Sequence, residues 1–251
     1  HVDSRSQYMY DHLKPLEVGH SNVIVTETRF ATIWGGVSLL DMMISSMREM
    51  LELEWDMDFI INVSGTDYLL KTPEELKTFL SEHVGMNFVQ AFEALQNRNT
   101  YYNHTYIECN NYMYQIGTRT VPKGIQYYKG SQFFCISRNF AEYIAYPATN
   151  DTLLQGLYSV YNHTIVPEER FFATALQNSK FCSTHYISNV HMINWEKGCH
   201  CHRPSADFCG CSPLTLTQKR MDFINTARNH DATFFGRKFD ATVDMSVLNT
   251  L

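Results

Sequence analysis

The chain has 251 residues, of which 44% are hydrophobic and 18% charged, and its formal net charge is −6. This length and hydrophobic content are enough to bury one substantial core, so we predict a single α/β domain over residues 1–251. The acidic balance and the lack of Lys/Arg runs argue against nucleic acid or an anionic membrane surface as a partner. No apolar run approaches the roughly 20 residues that span a bilayer. Because the chain opens at His1 without an initiator methionine or a signal-peptide pattern, we expect a fragment of a longer protein.

The first part of the chain predicts a strand, a glycine turn and a helix. A β-branched run indicates a strand over residues 21–27. Gly35 and Gly36 then turn the chain into residues 38–52, where apolar side chains recur at helical spacing and the methionines are expected in the core. Trp34 precedes the two glycines. It is placed to stack on a flat ligand, although packing in the core is the commoner outcome for a tryptophan.

A second strand signal is followed by a loop that carries an acid. Residues 58–64 predict a fully buried strand, and a helix should begin near Thr72. Strand–loop–helix units are typical of α/β sheets, which bind ligands at the carboxyl ends of their strands, so Asp67 in the loop is a candidate binding residue. An Asx-type loop cap is the equally favoured alternative for Asp67. Asp56 and Asp58 match the D-x-D pattern of metal-dependent sugar transfer, but they precede the strand, so we reject them as a metal site.

The rest of the chain predicts further alternating elements. Residues 99–130 are rich in Tyr and Asn and indicate strands and loops. Residues 130–139 predict a strand running into a helix that reaches about Tyr146. A helix is expected over 152–161, and a short strand over 190–195.

Two adjacent acids mark the start of an aromatic, helix-like stretch over residues 164–176. Pro167 suits a first helical turn, and Glu168 and Glu169 there would face the positive end of the helix dipole. The residues alone favour acids that only stabilise the helix start. A seat for a catalytic base is the alternative.

Near the end of the chain, Arg237 and Lys238 follow Gly236, which we expect in a turn. This pair suits a diphosphate, because Arg offers a bidentate fork and Lys a compact charge. A solvated charged turn is the commoner meaning of such a pair.

Four of the seven cysteines form two C-x-C pairs within residues 199–211. Structural zinc sites usually use C-x₂₋₄-C spacing, so C-x-C fits zinc poorly. We prefer a disulfide-stapled loop with Cys199–Cys211 around Cys201–Cys209, although the sequence leaves the pairing open. Three cysteines remain outside this segment: Cys109, Cys135 and Cys182.

Glycosylation sequons point to an oxidising secretory compartment, where disulfides are the default. They occur at Asn103, Asn150 and Asn162. A fourth, at Asn62, lies inside the predicted buried strand, and we expect it to be unmodified.

Several motifs occur in order along the whole chain: His1-Val-Asp3, Ala31-Thr-Ile-Trp-Gly-Gly36, Phe59-Ile-Ile-Asn-Val-Ser-Gly-Thr-Asp-Tyr68, Gly130-Ser131, Pro167-Glu-Glu-Arg-Phe-Phe172, Asn194-Trp195, Gly198-Cys-His-Cys201, Cys209-Gly-Cys-Ser-Pro213 and Thr233-Phe-Phe-Gly-Arg-Lys-Phe239. This ordered set resembles the peptide O-xylosyltransferases, within the wider family that includes the core-2 type β-1,6-N-acetylglucosaminyltransferases. The double C-x-C is similar to the xylosyltransferase branch. The resemblance implies a GT-A-like, Rossmann-like fold with a mixed sheet flanked by helices, and an N-terminal strand missing from this fragment.

The resemblance also implies roles for individual residues. Glu169 matches the catalytic base, and Arg237 and Lys238 match the residues that hold the donor diphosphate. The remaining donor-binding matches are Asp3, Trp34, Asp67 and Gln132. Gln132 is a departure, because Gly130-Ser-Gln-Phe133 stands where the xylosyltransferases read Gly-Ser-Asp-Trp.

The implied activity is inverting transfer of xylose from UDP-xylose to serine in a Ser-Gly site of a proteoglycan core protein, which starts the glycosaminoglycan linker. We expect no metal and no cofactor, and a type II membrane protein of the Golgi or endoplasmic-reticulum lumen whose anchor lies outside this chain. A runner-up is β-1,6-N-acetylglucosaminyl transfer, which Gln132 favours and the C-x-C pairs oppose. A third is a secreted, non-catalytic glycoprotein of the same fold, although such a protein need not keep Glu169, Arg237 and Lys238 together.

Overall fold

The computed structural model describes residues 1–53, 55–94, 100–195 and 212–251. Within these ranges the chain forms ten α-helices and eleven strands. The helices are α1 Gln7–Leu13, α2 Leu16–Gly19, α3 Val37–Glu52, α4 Pro73–Ser81, α5 Thr100–Asn103, α6 Arg138–Ala145, α7 Thr152–Tyr161, α8 Phe171–Asn178, α9 Met221–Arg228 and α10 Met245–Thr250. The strands are β1 Phe59–Ile61, β2 Asp67–Leu69, β3 Asn87–Val89, β4 Phe92–Glu93, β5 His104–Cys109, β6 Tyr112–Thr118, β7 Tyr128–Lys129, β8 Phe134–Ser137, β9 His185–Tyr186, β10 His191–Ile193 and β11 Phe235–Arg237.

The strands form mixed sheets, as the α/β prediction requires. One sheet has the order β1-β8-β3-β9, with β3 and β9 parallel. A second has the order β10-β11-β2, in which β10 and β11 are parallel and β11 and β2 antiparallel. Two antiparallel pairs, β4 with β7 and β5 with β6, complete the strands of the described ranges.

The chain divides into two compact units. The first unit is His1–Ile60, Gly85–Gln132 and Ile136–Ile187, and the second unit is Ile61–Val84, Phe133–Cys135 and Ser188–Leu251. The expectation of a single domain stays a prediction beside this division.

Side-chain caps explain why several helices begin where they do. Thr72 and Glu75 form a reciprocal capping box at the start of α4. Ser137 caps α6, and Asp151 caps α7. In α3 the buried residues recur at helical spacing: Leu40, Met43, Ile44, Met47 and Leu51. The core assignment is thus confirmed for Met43 and Met47, whereas Met42 and Met50 are half-buried.

Each unit buries its own apolar side chains. The first unit encloses large aromatic residues, among them Phe140, Tyr161 and Phe171, which are 0% exposed. Burying such a side chain stabilises the fold by about 1.5–3 kcal/mol. In the second unit one apolar cluster joins strands and helices: Leu70, Met192, Leu216, Ile224, Phe239 and Val247.

The strand predicted over residues 21–27 is wrong, and the buried strand predicted over 58–64 is confirmed only in part. Residues 21–27 form no strand, because the Glu17 side chain accepts from Val25 N–H at 2.5 Å and Lys14 donates to the Val25 carbonyl at 3.2 Å. The predicted buried strand over 58–64 is only the three-residue β1, in which Ile60 alone is buried. Beyond β1 the chain turns into a polar loop, and β2 comes before α4.

The cysteine and glycosylation predictions have mixed outcomes. Cys199, Cys201, Cys209 and Cys211 lie outside the described residues, so the disulfide-stapled loop stays a prediction. Among the described residues, Cys109, Cys135 and Cys182 form no disulfide. Asn103, Asn150 and Asn162 are exposed, as a glycan acceptor must be, whereas Asn62 is half-buried just after β1. In the part of the chain that is described, no helix has the length and apolar character to cross a membrane.

Candidate active site

The two adjacent acids lie in a tight turn of the first unit, which we call the carboxylate turn, residues 166–170. Pro167–Glu169 form a 3₁₀ turn, and Arg170 then breaks the helical path before α8 with φ −132°. The prediction that the acids open the α-helix is therefore wrong, because they precede it.

The carboxylate turn is held in a strained backbone conformation. Val166 has φ +53°, a left-handed conformation that disfavours β-branched residues. Its N–H donates to the Gly35 carbonyl at 2.9 Å, and Arg170 Nη1 donates to its carbonyl at 3.0 Å. Such strain, of order 1–3 kcal/mol, persists only where neighbours fix it, and it often marks functional sites.

Glu169 is the more accessible of the two acids, and it is half-buried. Burial raises the pKa of its carboxyl, while the Arg170 charge acts in the opposite direction. Its carbonyl accepts from Gly130 N–H at 2.7 Å. Gly130 permits no side chain, because a Cβ there would lie 1.7 Å from the Gln90 carbonyl oxygen. A carboxylate whose pKa is raised towards neutrality is suited to general base catalysis.

Glu168 behaves differently although it is the same residue type. It is 3% exposed, and its Oε2 has no hydrogen-bond partner among the described residues. Burial, with a further contribution from the Glu169 charge, raises the pKa of Glu168 to about 8. Glu168 is therefore mostly protonated at neutral pH. Sequence reasoning missed this distinction, because no local pattern reports burial.

Two further predicted residues lie on segments bonded to this turn. The Asp3 carboxylate accepts from Arg5 Nη2 at 2.7 Å and from Thr32 N–H at 3.0 Å, and the Arg5 guanidinium is the main cause of an Asp3 pKa well below its usual range. Trp34 is 57% exposed, so the core alternative for this ring is wrong. Gly35, next to Trp34, is the residue whose carbonyl holds Val166. The first unit thus joins the segments of Asp3, Trp34 and the carboxylate turn.

In the second unit, strand register brings Asp67 and Arg237 together. β11 pairs with β2 so that Arg237 lies opposite Asp67. Gly236 is in the middle of β11, so the predicted turn is wrong there. A Cβ at Gly236 would lie 2.9 Å from the Phe239 ring and 3.0 Å from Leu70. A side chain at this position would therefore displace the Phe239 and Leu70 side chains that pack against it.

The guanidinium of Arg237 contacts three polar side chains and one aromatic ring. We call these residues the Arg237 cluster: Ser64, Thr66, Asp67, Phe133 and Arg237. Nη1 donates to Ser64 Oγ, to Thr66 Oγ1 at 3.0 Å and to Asp67 Oδ1 at 3.0 Å. The guanidinium carbon lies 4.8 Å from the centre of the Phe133 ring. The remaining guanidinium donors, Nε and Nη2, have no hydrogen bond to a described residue, and the side chain is 19% exposed. Arg237 is thus oriented through one nitrogen and can still bind an anion.

Asp67 closes its own loop, as the cap alternative predicted, and it also pairs with Arg237, while its role in binding a ligand stays a prediction. Its Oδ2 accepts from Ser64 N–H at 2.6 Å, which closes the loop before β2, while its Oδ1 pairs with Arg237. Lys238 is half-buried and forms no ion pair with a described residue.

His191 is a neighbour of this cluster that sequence reasoning missed. Its side chain is 0% exposed, and Nε2 lies 3.8 Å from Asp67 Oδ2. Burial is the main reason why the pKa of His191 is lowered. The only signal in the sequence is a polar residue in the predicted strand 190–195, and this does not reveal Asp67 as its neighbour.

The remaining predicted residues are Gln132, Asp56 and Asp58, which differ in their exposure to solvent. Gln132 is half-buried in the segment before β8. Asp56 and Asp58 are exposed and precede β1, as expected from the sequence. The described ranges contain no group of three or more His, Cys, Asp or Glu side chains arranged to hold a metal ion.

Comparison of the sequence with known proteins identifies its family. The model of the family described as Core-2/I-Branching enzyme matches residues 1–219. The chain is 38% identical to Xylosyltransferase oxt of Drosophila melanogaster over 99% of its length, and 40% identical to Xylosyltransferase 2 of Homo sapiens over 100%. It is 38% identical to Xylosyltransferase 1 of Rattus norvegicus over 100% of its length. The chain spans 29% to 31% of the length of these relatives. It belongs to the Core-2/I-Branching enzyme family.

Proposed function

We propose that this chain carries the transfer site of an inverting, metal-independent glycosyltransferase, which moves xylose from UDP-xylose to serine of a proteoglycan core protein. The observation that carries the choice of xylose is the match along the whole chain to relatives named xylosyltransferases. The product would start the glycosaminoglycan linker.

Glu169 is the proposed catalytic base. It accepts the proton of the serine hydroxyl while that oxygen attacks the anomeric carbon of xylose. The new bond from carbon to serine oxygen forms as the bond from carbon to the UDP oxygen breaks, so UDP leaves with the electron pair. Attack opposite the leaving group inverts the anomeric centre. The raised pKa of Glu169 supports this role, because it gives the carboxylate a greater affinity for the proton.

Arg237 and Lys238 are the proposed groups that neutralise the diphosphate. Charge develops on the leaving UDP in the transition state, and fixed cations aimed at it lower the barrier. The guanidinium donors of Arg237 that are not bonded within the Arg237 cluster support this assignment. Asp67, through its ion pair, is a positioning residue for Arg237.

Three further residues, all in the first unit, are proposed to bind the donor. The exposed ring of Trp34 suits stacking on a flat or sugar surface. Asp3 is proposed near the nucleotide, and Gln132 is proposed to hydrogen-bond a sugar hydroxyl.

The second candidate is transfer of N-acetylglucosamine from its UDP donor. The neutral amide of Gln132, where the resemblance leads us to expect an acid, is the observation that favours it. We infer for either activity a site in the Golgi or endoplasmic-reticulum lumen, with membrane attachment through a segment outside this chain. The exposed sequon asparagines Asn103, Asn150 and Asn162 support a lumenal setting.

The test offers the full-length protein either UDP-xylose or UDP-N-acetylglucosamine, with EDTA present and a Ser-Gly peptide as acceptor. Transfer of xylose in EDTA is the expected result. Transfer of N-acetylglucosamine alone would favour the second candidate. Transfer of xylose only after a divalent cation is restored would contradict the metal-independent mechanism, and no transfer under any condition would contradict the proposed activity.

A further inference from the structure

His191 is a buried imidazole that the proposed reaction does not use. Its ring stacks with two aromatic rings, with centroids 4.7 Å from Phe133 and 5.0 Å from Phe235, and interplanar angles of 28° and 22°. These contacts fix the plane of the imidazole. Each ring nitrogen therefore faces one defined neighbour.

The hydrogen of a neutral His191 is placed by its backbone partner. Nδ1 lies 2.8 Å from the Asn189 carbonyl oxygen. Because a carbonyl only accepts, Nδ1 carries the hydrogen and Nε2 is left with a bare lone pair. That nitrogen has no hydrogen-bond partner among the described residues, and it faces Asp67 Oδ2 at 3.8 Å. Two acceptors facing each other repel weakly, whereas a proton on Nε2 would create a charge-assisted contact.

The charged groups that act on His191 come from the other two strands of its sheet. Asp67 on β2 favours the protonated form, and Arg237 on β11 opposes it. Phe133 and Phe235, which stack with the imidazole, are uncharged. With His191 neutral, Asp67 balances Arg237 and the three groups sum to zero formal charge. With His191 protonated, they sum to one positive charge.

An anion changes this balance. A diphosphate bound to Arg237 would offset the charge that opposes protonation of His191, and Asp67 would then be shared between two cations. Linkage makes the effect reciprocal, so whatever protonates His191 must also strengthen anion binding.

We propose that His191 is a proton-linked positioning residue for Arg237: it takes up one proton from solvent at Nε2 when a diphosphate binds, and it then shares Asp67 with Arg237. The guanidinium charge is thereby directed to the diphosphate. This inference rests on the proposed function, because it takes Arg237 to be the diphosphate ligand.

The test is calorimetric titration of the full-length protein with UDP-xylose in the absence of acceptor. The titration is repeated in buffers of different ionisation enthalpy between about pH 5.5 and pH 7.5, so that proton uptake is measured directly. UDP-xylose is preferable to UDP, because a terminal phosphate itself titrates near a pKa of about 6. We expect net proton uptake, and a Kd that falls about 5-fold or more from the higher pH to the lower.

The variant His191→Gln removes the titrating group and keeps a polar side chain. It should bind UDP-xylose without proton uptake and with a Kd independent of pH, and its loss should fall on KM for UDP-xylose more than on kcat. His230→Gln, at an exposed histidine of the same unit, is the matched control and should keep the wild-type pH dependence.

The outcomes separate this inference from the proposed function. Wild-type binding without proton uptake would overturn the role of His191 alone, even if the variant failed to fold. Retention of the pH dependence in His191→Gln would overturn it as well. No binding of UDP-xylose at any pH would overturn the proposed function, and this inference with it.

Discussion

The carboxylate turn and the Arg237 cluster differ in how their charged groups are solvated and bonded. In the carboxylate turn, one acid is buried and the other is half-buried, and burial raises the pKa values of both. In the Arg237 cluster, one guanidinium nitrogen is bonded to two hydroxyls and a carboxylate. The difference follows from the chemistry proposed for each region. A base needs a high affinity for protons, whereas a phosphate ligand needs a fixed position and a permanent charge.

The comparison also shows how two identical neighbours acquire different properties. Glu168 and Glu169 are adjacent in the same 3₁₀ turn, but one is enclosed and the other is half-exposed. The enclosed acid is mostly protonated at neutral pH, so burial alone gives two identical side chains different affinities for a proton.

The largest expected effect is that of Glu169→Gln. The amide keeps the shape of the side chain but cannot accept the serine proton, so kcat should fall about 10²–10⁴-fold. Affinity for UDP-xylose should stay within about 3-fold of wild type, because base chemistry alone is removed. Single-turnover transfer and equilibrium binding measure the two quantities. Unchanged kcat would remove Glu169 from the mechanism.

The next largest expected effect is that of Glu168→Gln on the pH dependence of stability. A carboxyl whose pKa rises from 4.5 to about 8 on folding binds its proton more tightly in the folded chain. The free energy of unfolding that this proton contributes is fully present below the unfolded pKa of 4.5, and it is lost as the pH rises through about 8. The total loss is about 3–5 kcal/mol. Glu168→Gln should abolish this dependence and unfold at a higher temperature than wild type near pH 8.

The measurement is thermal unfolding of wild type and Glu168→Gln at about pH 5 and pH 8. Glu74→Gln, at an exposed acid of α4, is the matched control and should leave the wild-type pH dependence in place. A wild-type unfolding temperature that does not fall from the lower to the higher pH would show that Glu168 is ionised or solvated.

Much of the architecture could be predicted from the sequence, because its causes are local. Helix α7 lies at residues 152–161 as expected, since Asp151 caps an apolar stretch at helical spacing. The strand predicted over 21–27 fails for a non-local reason, because the Glu17 and Lys14 side chains bind the backbone of Val25 in place of a neighbouring strand.

The site residues divide in the same way. The resemblance picks out Glu169 and Arg237 through local motifs. The burial of Glu168 depends on packing that no motif records. His191 lies close to Asp67 because β10, β11 and β2 belong to one sheet, and this arrangement cannot be read from local sequence.

A smaller effect should follow from Arg237→Ala. Loss of charge-assisted hydrogen bonds worth about 1.5–3 kcal/mol should weaken UDP-xylose binding about 10- to 100-fold. Arg220→Ala, at an exposed arginine of the same unit, is the control and should bind as wild type does. Isothermal titration measures both. Unaltered affinity in Arg237→Ala would contradict its role as diphosphate ligand.

The smallest effect is on the pH dependence of kcat. Burial raises the pKa of Glu169. As the pH is lowered, kcat at saturating UDP-xylose should therefore begin to fall at a higher pH than it would if the base were an exposed glutamate. The fall should approach about tenfold per pH unit below that pKa. An acid limb no higher than that of an exposed glutamate would show that burial does not tune this base.

The central claim is a single displacement at the anomeric carbon, assisted by Glu169. The most direct test is NMR determination of the anomeric configuration of xylose in the peptide product, made from α-configured UDP-xylose in EDTA. A β-linked product is the expected result, since one in-line attack inverts the centre. An α-linked product would require a second displacement or a different attacking face, and it would contradict the mechanism.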